Sequence, residues 1–192
     1  GHGTGLDHKF LVAPGELGEI RVIGRGAPFG VYFGHDNIET VAEKAATYSA
    51  DAKGIYVVMN PIDPVLNDRP QLVESHTLTK DSDIICRRHL LADFDPSSAD
   101  RGADDSATDG EKEAARQRME ECYEWLRNLG FPEPIFADSG NGWHILFAID
   151  LPNDEDSHRL IREFLLALSQ RFSDDHVAVD ISVHNASRIT KL

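Results

Sequence analysis

From Arg88 onward the hydrophobic pattern switches between a two-residue and a 3.6-residue period, in the order β-α-β-β-α-β. A strand runs through Phe94, and the polar stretch Pro96 to Asp109, rich in Asp, Ser and Ala, reads as a mobile loop. Thr108 with Glu111 predicts a capping box for a helix whose Ala115, Met119, Cys122, Leu126 and Leu129 form an apolar stripe, with Gly130 as terminator. Ile135 to Ala137 and Trp143 to Ile149 are strands joined through Ser139-Gly140-Asn141-Gly142. A second helix starts near Asn153 and repeats Leu160, Ile161, Phe164, Leu165 and Leu168, before Val177 to Ile181 supplies the last strand.

That order is the ferredoxin-like, or split βαβ, pattern also used by RNA-recognition modules. It places the first strand in the middle of its sheet, antiparallel to the third and the fourth. The end of the first strand therefore meets the beginnings of the other two. Strand alternation puts Asp93 and Asp95 on one face, with Leu90, Ala92 and Phe94 on the other. The same parity sends His144 and Asp180 to the helix-free face, while Trp143, Ile145 and Phe147 go to the core. Three carboxylates so gathered would repel one another and resist ionisation. Divalent Mg²⁺ or Mn²⁺ resolves the conflict, because hard cations prefer carboxylate oxygen. Two such ions can clamp the attacking and leaving oxygens of a phosphoryl displacement.

Upstream of about Asp63, strands at Gly18 to Ile23, Phe29 to Phe33 and Gly54 to Met59 surround one helix. In that helix Ile38, Val41, Ala42 and Ala45 share a face, and Asp36 with Glu39 predicts a capping box. Pro61 to Lys80 reads as a connector. The expected architecture is α+β, with an N-terminal α/β unit and connector over 1–80 and the ferredoxin-like catalytic sheet over 81–192. Leu91 and Leu146, on the helix-free face, need cover, which places the expected active site in a cleft between the two units.

Composition adds one objection and several exclusions. With 19 Lys plus Arg against 33 Asp plus Glu, the net charge is −14, the wrong sign for broad polyanion binding. Ten of the acids lie between Asp95 and Glu124, and apart from Asp95 these read as a solvated loop and helix face. The segment from His176 to Leu192 holds Arg188 and Lys191 against Asp180 alone. No run approaches the roughly 20 apolar residues of a membrane span, and no signal peptide is visible. A cytoplasmic protein is expected. Cys86 and Cys122 read as two buried thiols. Gly1-His2-Gly3 resembles a cloning scar, and the C-terminus falls within a motif, so a domain cut from a longer protein is expected.

Three motifs carry a resemblance. Asp93-Phe94-Asp95-Pro96, then Ser139-Gly140-Asn141-Gly142-Trp143-His144, then Val179-Asp180 with Asn185-Ala186-Ser187-Arg188-Ile189-Thr190-Lys191 are similar to those of the archaeo-eukaryotic primase superfamily, in its bacterial, plasmid and phage primase-polymerase branch. Gly18-Glu19-Ile20-Arg21, Gly30-Val31-Tyr32-Phe33 and Tyr56-Val57-Val58-Met59-Asn60-Pro61 extend the likeness toward the N-terminus. The resemblance implies that Asp93, Asp95 and Asp180 are catalytic and hold two divalent cations, Mg²⁺ or Mn²⁺. It implies that Ser139 and His144, with the Gly140-Asn141 turn, contact the phosphates of an incoming NTP or dNTP. A glycine-containing turn lets backbone N–H groups approach an anion, and Arg188 and Lys191 are the nearest cations after Asp180. The implied partners are a single-stranded DNA template and primer, with fused or associated helicase, accessory priming or CRISPR-associated domains. No membrane partner is implied.

The alternatives are a repair-type polymerase of the same superfamily, another phosphoryl or glycosyl transferase, and a nucleic-acid-binding module without catalysis. The last is disfavoured because the helix-free face carries acids where such modules expose aromatics. Among weaker candidates, Arg87 and Arg88 suit either a phosphate or an ion pair, and Asn60 before Pro61 reads as a turn former. Trp143 reads as core, and His35, His158, His176 and His184 have no metal-ligand spacing.

Overall fold

A computed structural model describes residues 12–24, 26–97 and 106–191. The chain divides into two compact units, one comprising 12–88, 151–153 and 186–191 and the other 89–150 and 154–185 of the described residues. The fold is α+β, with two sheets and three α-helices among the described residues.

In the first unit, β1 (Leu17–Ile23) pairs antiparallel with β2 (Phe29–Gly34) and with β3 (Gly54–Val58). A two-residue strand β4 (Glu74–Ser75) pairs with β2, and β9 (Ile189–Lys191) with β3, giving the order β4-β2-β1-β3-β9. Alternation along these strands makes two apolar layers. Ile20, Val22, Val31, Phe33, Ile55 and Val57 pack with Val41 of α1 (Ile38–Ser49), and Leu17, Tyr32 and Val58 pack with Ile62, Ile84 and Ala186 on the other side.

Two local expectations fail here. Residues His35–Asn37 form a 3-10 turn, so Asn37 takes the N-cap of α1 without a side-chain bond and the Asp36 and Glu39 box does not form. The C-terminal residues, expected within the catalytic unit over 81–192, join the other sheet: Ile189, Thr190 and Lys191 pair with Val58, Val57 and Tyr56 of the first.

The second unit contains β5 (Cys86–Pro96), which starts in the first, then α2 (Asp109–Asn128), β6 (Ile135–Asp138), β7 (Trp143–Pro152), α3 (Glu155–Phe172) and β8 (Val177–Val179). Its sheet order is β6-β7-β5-β8, so the first strand of the β-α-β-β-α-β series lies between the third and the fourth, as expected. The Thr108 box forms: Glu111 N–H donates to Thr108 Oγ1 at 3.3 Å and Thr108 N–H to Glu111 Oε2 at 2.8 Å. Gly130 closes α2 with φ +91°, a conformation that favours glycine. Ala115, Met119, Cys122 and Leu126 are buried as the stripe predicts, and burial pushes the Cys122 thiol up to about 12. Leu129 and Leu160, expected inside, are exposed, and Cys86 is only half-buried. The predicted loop over Pro96 to Asp109 falls largely on residues 98–105, outside the described residues. Among the described residues no helix is long and apolar enough to cross a membrane.

Candidate active site

The backbone positions that carry the carboxylates meet in one strand pair. β5 and β8 are antiparallel with Phe94 opposite Val179 and Asp95 opposite Ala178. One step further, Asp180 N–H donates to the Asp93 carbonyl at 2.9 Å, so Asp93 and Asp180 are directly opposed. Opposed residues of an antiparallel pair project to the same face with Cβ atoms about 5 Å apart, and Asp95 is the diagonal neighbour of Asp180. Phe94 and Val179, between them in sequence, are buried on the other face. Asp180 is further fixed by its own turn, its Oδ1 accepting from Ser182 N–H at 2.7 Å.

The Ser139 turn is held against this strand end by close packing. A Cβ on Gly142 would collide with the Phe94 carbonyl oxygen and lie 2.9 Å from Asp95 Oδ1, so only glycine lets the turn approach this near. Within the turn, Gly140 N–H donates to Asp138 Oδ1 at 2.6 Å, and Gly142 N–H donates to Ser139 Oγ at 2.9 Å. Two amides of this glycine-containing turn are thus bonded to its own side chains. Asn141 Oδ1 accepts from Ala107 N–H at 3.3 Å, tying the turn to the segment before α2.

His144 lies one residue into β7, opposite Ala137 of β6. Phe147, three positions on, meets Phe131, which stacks on Phe164 of α3, so Phe147 marks the helix side and His144 the other. Burial pulls the His144 imidazole down to about 4, with nearby Asp138 opposing that shift. His144 is therefore neutral at pH 7.

Arg188 and Lys191 belong to the first unit. Met59 N–H donates to the Arg188 carbonyl at 3.0 Å, extending the β3–β9 ladder by one residue. Strand alternation then places Arg188 and Lys191 on opposite faces of that sheet, so the two do not form a single grip. Arg88 takes the ion-pair role, in bidentate contact with Glu16 at 2.5 and 2.7 Å. Asn60 is more than a turn former: buried, it donates to the Ala186 carbonyl and accepts from Arg88 N–H, both at 2.8 Å. Trp143 is half-buried rather than core, and His158 and His184 lie ring to ring at 4.8 Å.

Sequence reasoning missed Asp138 and Ser182, which shape the turns around the carboxylates, and buried His89, which shares the face of Asp93 by the same parity. The two-residue count that selected 93 and 95 also selects 89. The second glycine of the turn was visible, but its need became apparent only from the approach to Phe94.

Three carboxylates are the donor set that Mg²⁺ and Mn²⁺ prefer, and Asp93 Oδ1 is a buried oxygen. The residues fit divalent cations in donor chemistry and backbone register. Among the described residues, however, no three Asp, Glu, His or Cys side chains are gathered closely enough to hold an ion.

No family model and no curated protein matches the chain in sequence. Among solved structures it is similar to the polymerase domain from Mycobacterium tuberculosis ligase D in complex with DNA, with a TM-score of 0.46 and 17% identity. That likeness covers 94% of this chain and 59% of the other, so the chain spans about three fifths of the structure it matches.

Proposed function

We propose that this chain is the catalytic core of a DNA primase-polymerase, a nucleotidyltransferase that makes or extends primers on a single-stranded template. The observation that carries the reading is the direct opposition of Asp93 and Asp180 on neighbouring strands, with Asp95 two residues along from Asp93 and diagonal to Asp180, and the Gly142 turn packed on it. The motif resemblance adds the reaction: a primer 3′-hydroxyl attacks the α-phosphate of an NTP or dNTP, and pyrophosphate leaves.

Asp93, Asp95 and Asp180 would hold the two divalent cations. When bound, Mg²⁺ or Mn²⁺ supplies positive charge that favours ionisation of the attacking hydroxyl and stabilises the leaving pyrophosphate. The remaining chemistry belongs to side chains. Ser139 Oγ accepts from Gly142 N–H at 2.9 Å, which fixes the hydroxyl that the resemblance assigns to the nucleotide's phosphates. Neutral His144 offers a ring N–H without bringing a charge into a buried position. Asp138, bonded to Gly140 N–H, keeps the turn in shape, and a phosphate that used this amide would displace it. The resemblance assigns Arg188 and Lys191 to the nucleotide, and each single Ala variant is expected to raise the nucleotide KM.

Asp93→Ala is the decisive variant. Incorporation of labelled nucleotide on a single-stranded template with Mn²⁺ is expected to vanish while the folded state persists. Wild-type incorporation by that variant would remove the proposal. Running the assay with and without a supplied primer separates primer synthesis from extension of existing ends, the repair-type alternative.

A further inference from the structure

We propose that the outer edge of the second sheet is a docking surface for an extended, basic segment of a partner protein. Strand β6 stands at the end of the order β6-β7-β5-β8, so one side of its backbone ladder faces away from the sheet. Such an edge presents N–H and C=O groups on which another chain can pair. Beside it lies a cavity of about 480 Å³ lined by Met119, Tyr123, Phe136 and Trp143, together with Arg116, Glu120 and Glu124. Tyr123 and Phe136 meet edge to face at 5.0 Å, and Phe136 is 36% exposed, an aromatic left to solvent on an edge strand. Neither it nor Tyr123 has a part in the proposed chemistry.

Charge selects the occupant. Arg116 is paired with Glu113 and Glu120, and Arg127 with Glu124. Glu133 accepts from the Tyr123 hydroxyl at 2.9 Å, and Asp138 stands opposite Trp143. Five carboxylates against two guanidinium groups leave this face acidic. Nucleic acid, an anionic membrane surface and a second copy of this chain, itself at −14, are all repelled. A basic strand is attracted. Alternate side chains of an added strand share one face, so Arg at every second position would lay its stems across Tyr123, Phe136 and Trp143. Their guanidinium heads would then reach Glu120 and Glu124. The acidity of α2, without a role in catalysis, acquires one here.

The test is a ¹⁵N NMR titration of the whole chain with an acetylated, amidated Arg-Val alternating octapeptide. A Glu-Val octapeptide, a Gly-Ser octapeptide and a dT10 oligonucleotide serve as controls. Saturable, salt-sensitive shifts centred on residues 135–138 and the Trp143 indole are expected from the Arg-Val peptide alone. Phe136→Ser and the surface variant Glu124→Arg should each weaken that binding by about tenfold or more. The proposal is overturned if the Arg-Val peptide gives no saturable shift at millimolar concentration, or if Glu-Val binds equally. It is also overturned if dT10 occupies the same residues, if Glu124→Arg binds as wild type, or if the chain pairs with itself through β6.

Discussion

The two compact units hold their buried and half-buried charge differently. In the first, carboxylates meet cations and donors. Fully buried Glu19 accepts from Arg21 Nε at 2.7 Å and from Thr79 N–H and Oγ1 at 2.7 and 2.5 Å. Arg69 bridges the Tyr32 hydroxyl at 2.7 Å and Asp83 at 3.0 Å, and Glu16 clasps Arg88. In the second sheet a carboxylate faces a carboxylate, Asp93 against Asp180. Like charges directly opposed cost a sheet roughly 0.2–1 kcal/mol, and here Asp180 Oδ1 also accepts from Ser182 N–H at 2.7 Å. The first pattern builds a scaffold; the second is the arrangement on which the proposed cation site rests.

The contrast can be broken at several points. Asp93→Ala should lower nucleotide incorporation by about a thousandfold or more, as loss of a metal ligand does, yet leave the melting temperature unchanged or slightly raised. Calorimetry beside the incorporation assay checks both halves. Glu19→Ala should do the reverse, costing about 3–5 kcal/mol in urea unfolding because Arg21 and Thr79 lose a buried partner. A loss under about 1 kcal/mol there would show that the network is ornamental.

His144 gives a pH signature. Its folded value of about 4 lies below the ordinary 6.5, so below pH 6.5 the unfolded chain binds a proton that the folded chain refuses. Stability falls as pH drops through that window, by about 3 kcal/mol from this group. The His144→Gln variant should flatten the pH dependence of unfolding between 6.5 and 4 by that amount. Gly142→Ala should cost about 1–3 kcal/mol, since its Cβ meets the backbone of Phe94, and should depress incorporation as well. The smallest effect belongs to Thr108→Ala, about 1 kcal/mol from the lost cap of α2.

What the sequence made legible was local or periodic. The Thr108 to Glu111 cap, the buried stripe of α2 and the parity of Asp93, Asp95 and Asp180 follow from spacing along one element, and the element order fixed which strand ends meet. What it concealed depends on distant partners. Thr79 lies 60 positions from Glu19, and Asn60 reaches Ala186 across 126. The three residues of β9 are too few to show a period, and only pairing with β3 defines them. At Asp36 the local signal was present but lost to a competing 3-10 turn. At Gly142 the residue was visible while its reason, a carbonyl on another strand, was not.

The most direct test of the central claim is thermal unfolding of the wild-type chain and Asp93→Asn, each titrated with Mn²⁺. If the opposed carboxylates form a cation site, Mn²⁺ raises the wild-type melting temperature, while Asp93→Asn starts at or above the wild-type value and gains nothing from the metal. A wild-type melting temperature indifferent to millimolar Mn²⁺, or an equal gain in Asp93→Asn, would contradict it.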